Sequence, residues 1–215
     1  MTEFDSKCYL LSNHHLPKLE AMARPVKISD EAILDGAIDL FWRHGADRVS
    51  IRDLERSLEV RAPSIYRRFD SKDELLARCL DRYVDQQIGG RVGYFFADTS
   101  DPLEGLRSFF TSVLRPHPGE ETLRGCLLTT TASRSESSTE NTRHAINRGF
   151  EAIETALLLQ VQACIDAGQL AADLDPESAA RSLLLSFQGL LVLARSGAAN
   201  LHAHIDATFD SLARH

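Results

Sequence analysis

From Ser29 onward, hydrophobic positions recur every three or four residues, the spacing that aligns side chains along one face of an α-helix. Ile33, Ala37, Leu40 and Phe41 form the first such row, behind Ser29 as a cap and Asp30 and Glu31 at the positive helix end, and Gly45 closes it. Ser50, with Asp53 three residues on, predicts a second short helix that turns Ile51, Leu54 and Leu58 inward. Pro63 suits the first turn of a third, where the missing N–H would be unpaired anyway, and Ile65 and Phe69 are its inward residues. Ser71 and Glu74 predict a capping box for a fourth helix that carries Leu75, Leu76, Cys79, Leu80 and Tyr83 as far as Gly89-Gly90.

The helical pattern continues beyond those glycines. Asp101-Pro102 opens a helix through Leu114 that Pro116 and Pro118 close, and a shorter one covers 120–134. After the polar stretch SRSESSTEN, a long helix runs from Thr139 to Ala167 and stops at Gly168. Asp175-Pro176 starts another to Ser196, and the last spans Asn200 to Ala213. With no alternating strand pattern, Gly-rich phosphate loop or internal repeat, the expectation is an all-α fold of about nine helices. Residues 1–28 show no sustained period, and MARP at Met22 reads as a second start site, so this segment is expected to be a flexible N-terminal extension.

Composition narrows the function classes. The most apolar stretch, Leu183 to Ala194, is interrupted by Ser186 and Gln188, so no membrane span is expected, and with no signal-peptide pattern the expected location is cytoplasmic. Cys8, Cys79, Cys126 and Cys164 are far apart, as suits reduced thiols, and neither they nor the scattered histidines, His117 and His144 included, match a metal site or imply a cofactor. The net charge of −7 is unevenly distributed: residues 22–83 hold 12 basic and 12 acidic side chains, and the remainder carries the excess acid. Between Arg48 and Lys72, seven cations face four acids. That local balance inside an acidic chain marks a place to meet a polyanion.

Two short helices joined by a tight turn and covered by a longer one make a three-helix unit that contains a helix-turn-helix. With Ile65 and Phe69 inside, Ala62, Pro63, Ser64, Arg67 and Arg68 are expected on or near the outward face, with Tyr66 at its flank. Small residues there allow close approach to a major groove, and guanidiniums can pair with guanine edges or grip phosphate. Ser71 and Lys72 combine unpaired backbone N–H groups, a helix dipole and a cation, a phosphate-binding arrangement.

The order of Ala37, Leu40-Phe41, Gly45, Ser50-Ile51, Val60, Ile65-Tyr66, Phe69, Lys72 and Leu75 resembles the N-terminal DNA-binding domain of the TetR family of bacterial transcriptional regulators, over residues 33–76. The resemblance implies a homodimer with an N-terminal helix-turn-helix domain, 29–75, and a helical ligand-binding and dimerisation domain, 76–215. It implies contacts to a double-stranded DNA operator from Ser50, Arg61, Ala62, Pro63, Ser64, Tyr66, Arg67, Arg68 and Lys72, with Arg24 and Lys27 as an arm near the minor groove. Two positions depart from the family pattern A-x-x-x-G: Glu55, expected to snorkel or pair with Arg52, Arg67 or Arg68, and Glu59, expected at a left-handed turn position.

In the second half, Phe109, Phe110, Cys126, Thr129, Thr130 and Phe150 are the candidate lining for an unknown small-molecule effector. The helix from Pro176 is apolar around most of its circumference, so it is expected to be buried on more than one side. Ser182, Ser186, Gly189, Leu190 and Leu193, with Ile205 and Phe209 of the last helix, are the candidate dimer interface. The function expected is a repressor released from a palindromic operator by an inducer. Rival readings are a thiol-responsive regulator acting through Cys126 beside Arg124, and an interaction module that has lost DNA binding. An enzyme is not expected, since no nucleophile, nucleotide or metal motif is present.

Overall fold

The computed structural model of the chain describes residues 28–97, 99–116, 120–134 and 139–212, and the expected arm residues Arg24 and Lys27, like His117, lie outside them. Among the described residues all regular structure is helical. In the first half, α1 spans Asp30–His44, α2 Ile51–Leu58 and α3 Ala62–Phe69. Helix α4 begins at Lys72–Tyr83 and runs on through a π turn at Val84–Ile88 into Gly89–Phe95. The second half adds α5, Pro102–Ser112, α6, Leu127–Ala132, α7, Glu140–Asp166, α8, Pro176–Arg195, and α9, Leu201–Leu212.

Local chemistry accounts for most of these ends. The side chains of Ser29, Ser50, Ser71, Asp101, Thr139 and Asp175 each accept a backbone N–H of the helix that follows, which satisfies donors that have no intrahelical partner. Gly45 leaves α1 at φ 89°, a left-handed conformation that suits a residue without Cβ. Helix α4 is the shared strut: it packs on α1 through Leu75, Leu76, Cys79 and Leu80, and lies along α7. A bidentate pair from Arg82 to Asp35, 2.7 and 2.8 Å, ties it to α1, and Arg148 on α7 pairs with Asp81 at 2.9 Å. At its front end Asn141 donates to Glu74 and Thr142 to the carbonyl of Asp73, so α7 docks on the first turn of α4.

Three sequence expectations change. Gly89-Gly90 does not stop the helix: Gly89 keeps right-handed values, φ −56° and ψ −41°, and the chain continues until Phe95 packs over α5. A C-terminal glycine ends a helix only where it swings to positive φ, and here burial of Ile88 and packing of Phe95 favour continuation. Secondly, only Leu127–Ala132 of the 120–134 stretch is helical, because the segment before it crosses α1, where Trp42 Nε1 donates to the Gly125 carbonyl at 3.1 Å. Thirdly, Phe109 and Phe110 are sealed in an aromatic cluster: Phe109 stacks on Phe187 with centroids 4.9 Å apart, and Phe110 packs edge-on against Phe187 and Phe209. They are core side chains joining α5 to α8 and α9.

Candidate nucleic-acid interface

The candidate interface centres on α3, and three contacts from outside the helix hold it. Ile65 and Phe69 are buried against α1 and α4 neighbours, with Arg78 lying 5.1 Å over the Phe69 ring. Arg68 is drawn inward: its Nη1 donates to the Ile28 carbonyl at 2.8 Å and pairs with Asp30 at 3.2 Å, leaving its side chain 13% exposed. This corrects the outward placement expected for Arg68, which anchors α3 to the first turn of α1. Glu55 supplies the third contact. Its carboxylate accepts the backbone N–H of Ala62, so it caps α3 from across the turn instead of pairing with an arginine.

Glu59 takes the expected left-handed turn conformation, φ 53° and ψ 32°, between α2 and α3. The close approach that a small residue at position 55 would have given is made elsewhere, at Gly36 of α1, where a Cβ would lie 2.2 Å from Leu58 Cδ2.

With those groups engaged, α3 presents Arg61, Pro63, Tyr66 and Arg67 to solvent, Tyr66 at 46% exposure, beside half-buried Ala62 and Ser64. Arg67 Nη2 lies 3.4 Å from the Ser64 hydroxyl, a long contact that leaves the guanidinium free to reorient. Ser50 closes a capping box with Asp53, donating its hydroxyl at 2.6 Å and accepting the Asp53 N–H, and these bonds hold the Asp53 carboxyl below its usual value. The Ser71 hydroxyl accepts the Glu74 N–H while Lys72 stands at the start of α4, half-buried.

The junction between this unit and the second half is built from α1. Arg124 lies 5.2 Å over the Trp42 ring and pairs with Asp39 at 2.9 Å and with Glu120, which also meets Arg43 at 3.3 Å. Arg134 pairs with Asp47 at 3.0 Å. Arg124, two residues before Cys126, is therefore held by carboxylates and a ring. Cys126 itself is buried, and the buried Tyr83 hydroxyl donates toward its Sγ at 3.9 Å. Burial also pushes the Cys164 thiol up to about 12 and that of Cys79 higher still.

Thr129 donates to Gln188 of α8 at 2.5 Å, Thr130 donates to the Cys126 carbonyl and accepts from Arg195 at 2.8 Å, and Phe150 is half-buried against the core. Of the candidate interface residues, Ser182, Gly189 and Leu193 are exposed and Ser186 is half-buried, whereas Leu190, Ile205 and Phe209 are buried in the subunit's own core. Sequence periodicity missed Leu185 and Val192, exposed at 70% and 53% on the outer side of α8. His144 is an exposed neighbour of Glu140, and no group of three or more metal-ligating side chains occurs among the described residues. No described helix is long and apolar enough to cross a membrane.

Comparison with known proteins finds similarity in both halves of the chain. Residues 33–79 match the family described as bacterial regulatory proteins, tetR family, and residues 102–208 match the tetracyclin repressor-like C-terminal domain. The HTH-type transcriptional repressor ComR of Escherichia coli is 29% identical over 185 residues, covering 83% of this chain and 85% of ComR. A cysteine mutant of the TetR family transcriptional regulator CifR, complexed with 26-base-pair double-strand operator DNA, is similar with a TM-score of 0.76 at 25% identity, over 88% of this chain and 100% of that one. The reduced form of Escherichia coli NemR shares the fold, with a TM-score of 0.75 at 17% identity over 85% of this chain and 96% of NemR.

Proposed function

The chain belongs to the TetR family of bacterial transcriptional regulators, and from that premise we propose that it is a homodimeric repressor, released from a palindromic operator by a small-molecule effector. The observation that carries this reading is the open face of α3. Arg61, Pro63, Tyr66 and Arg67 are exposed together, while Arg68 and Glu55 orient the helix from behind. An eight-residue helix with Arg61 at its N-cap, Arg67 in its last turn and small residues at its front suits a major groove: the arginines read guanine edges or hold phosphate, and the tyrosine hydroxyl donates to the backbone.

Two copies related by a two-fold axis would place two such faces on half-sites of inverted sequence. The description of ComR as a repressor and of CifR as bound to operator DNA supports the direction of control and the partner. Release follows from linkage: an effector that binds better to the conformer with misplaced α3 helices lowers operator affinity by the factor by which operator lowers its own. Engagement of Arg124 by Asp39, Glu120 and Trp42, together with burial of Cys126, favours a reversible ligand over a thiol.

The test is fluorescence anisotropy on DNA from upstream of the gene, across a salt series. Tight binding that saturates at two subunits per palindrome and weakens about 100-fold or more in the Tyr66→Ala, Arg67→Ala double variant is the expected result. Affinity equal on unrelated DNA and indifferent to the double variant would sink the reading.

A further inference from the structure

A groove of about 460 Å³ lies where the helix-turn-helix unit meets the second half. Its walls carry Arg43 and His44 from the end of α1, Arg48 from the following turn, Asp53 from α2, Arg134 from behind α6 and Arg195 from the end of α8. In a chain of net charge −7, four guanidiniums and an imidazole therefore line one depression that holds one carboxylate.

The partners decide what remains available. Arg43 is held by Asp39 and Glu120, and Arg134 by Asp47. Asp53 is engaged by the Ser50 cap and by Arg56 at 3.7 Å. Arg48 and Arg195 make no close ion pair among the described residues, although Arg48 stands near enough to Asp47 to help lower its carboxyl, and Arg195 donates through Nη1 to the neutral Thr130 hydroxyl. The wall is also shaped to keep the cations in place. A Cβ at Gly45 would lie 2.3 Å from Arg134 Nη1, and one at Gly125 would lie 3.3 Å from Arg195 Cδ, so the glycines leave room for the Arg134 guanidinium and for the Arg195 stem against the backbone.

We propose that this groove binds a phosphoryl dianion, supplied by a small phosphorylated molecule, with Arg48 and Arg195 as its principal ligands. Each guanidinium presents paired N–H donors that match two phosphoryl oxygens, and Ser57 on the wall adds a hydroxyl donor. Because Arg48 belongs to the DNA-binding unit and Arg195 to α8, the bound anion clamps the two halves together. On the repressor reading above, that clamp sets the pose of α3 and couples the anion to operator affinity, while anion binding itself stands apart from that reading.

The experiment is a thermal-unfolding titration of the DNA-free protein with inorganic pyrophosphate, at ionic strength held constant with sodium chloride. The expected result is a saturable rise in Tm, about 3 °C or more at tenfold excess over Kd, with Kd weakened at least tenfold in the Arg48→Gln, Arg195→Gln double variant. No shift up to 10 mM (about the upper limit of useful affinity for such a site), or an equal shift in the variant, would overturn the proposal. Operator binding by Arg195→Gln without added anion is the second arm. Unchanged affinity assigns the site to a free anion, whereas a tenfold loss would mean that Arg195 serves the DNA backbone and the proposal fails.

Discussion

Glu59 carries a left-handed backbone at φ 53°, a conformation in which a Cβ meets the following carbonyl and costs about 1 kcal/mol relative to glycine. Glu59→Gly is therefore expected to raise stability by about 0.5–1 kcal/mol in urea unfolding, with α3 in the same place. Asp53 makes a pH prediction. Hydrogen bonds from the Ser50 hydroxyl and backbone lower its carboxyl from the ordinary 3.8, so its contribution is complete above that value and is lost as pH falls through the lower folded value. Acid titration of Asp53→Asn beside the wild type checks this: the two unfolding curves should converge below pH 3.8 and separate above it. The sequence made the Ser50–Asp53 pair and the turn at Glu59 legible because both act within three or four residues. It could not show that Arg68 turns back 40 residues to Ile28, or that Glu55 caps the next helix, since each partner is chosen by the crossing of α1, α2 and α3.

Helices begin where short side chains offer an acceptor, and six such starts were readable from Ser29, Ser50, Ser71, Asp101, Thr139 and Asp175. Their ends were less legible. Gly89-Gly90 carries a stop signal that packing overrides, and the crossing of 120–126 over α1 depends on Trp42, 83 residues from Gly125. The sequence marked Phe109 and Phe110 as candidate lining, but their packing on Phe187 depends on where α8 lies, which the sequence did not show. Two glycines separate helix propensity from packing. At Gly105 a Cβ would come within 2.7 Å of the Phe95 carbonyl oxygen, a backbone atom that cannot swing away, so Gly105→Ala should destabilise by about 1–3 kcal/mol. Gly93 has nothing within 4 Å, and Gly93→Ala should stabilise by about 0.5–1 kcal/mol in the same denaturation series.

For the molecule as a whole, the homodimer proposed above would find its exposed apolar face on the outer side of α8. Leu185, Val192 and Leu193 stand out of it beside Ser182 and Gly189, small enough for a helix to come near. Leu185→Glu is expected to turn a dimer into a monomer in sedimentation at micromolar protein, and to weaken operator binding about 100-fold by separating the two reading heads. Periodicity marked the small face of α8, and it did not show that Leu190, Ile205 and Phe209 pack in the subunit's own core, because a helix apolar nearly all round does not state which face its own subunit covers. The π turn at Val84–Ile88 bears on the same geometry in the vocabulary of insertions and deletions. A helix that bulges there accommodates one residue more than its length requires, and the bulge absorbs it so that Tyr83 before and Ile88 after both still reach the core. Chain length in this strut is thereby decoupled from the angular phase of its two ends. A relative lacking one residue between Asp85 and Gln87 would keep both packings with a regular α-helix in place of the bulge.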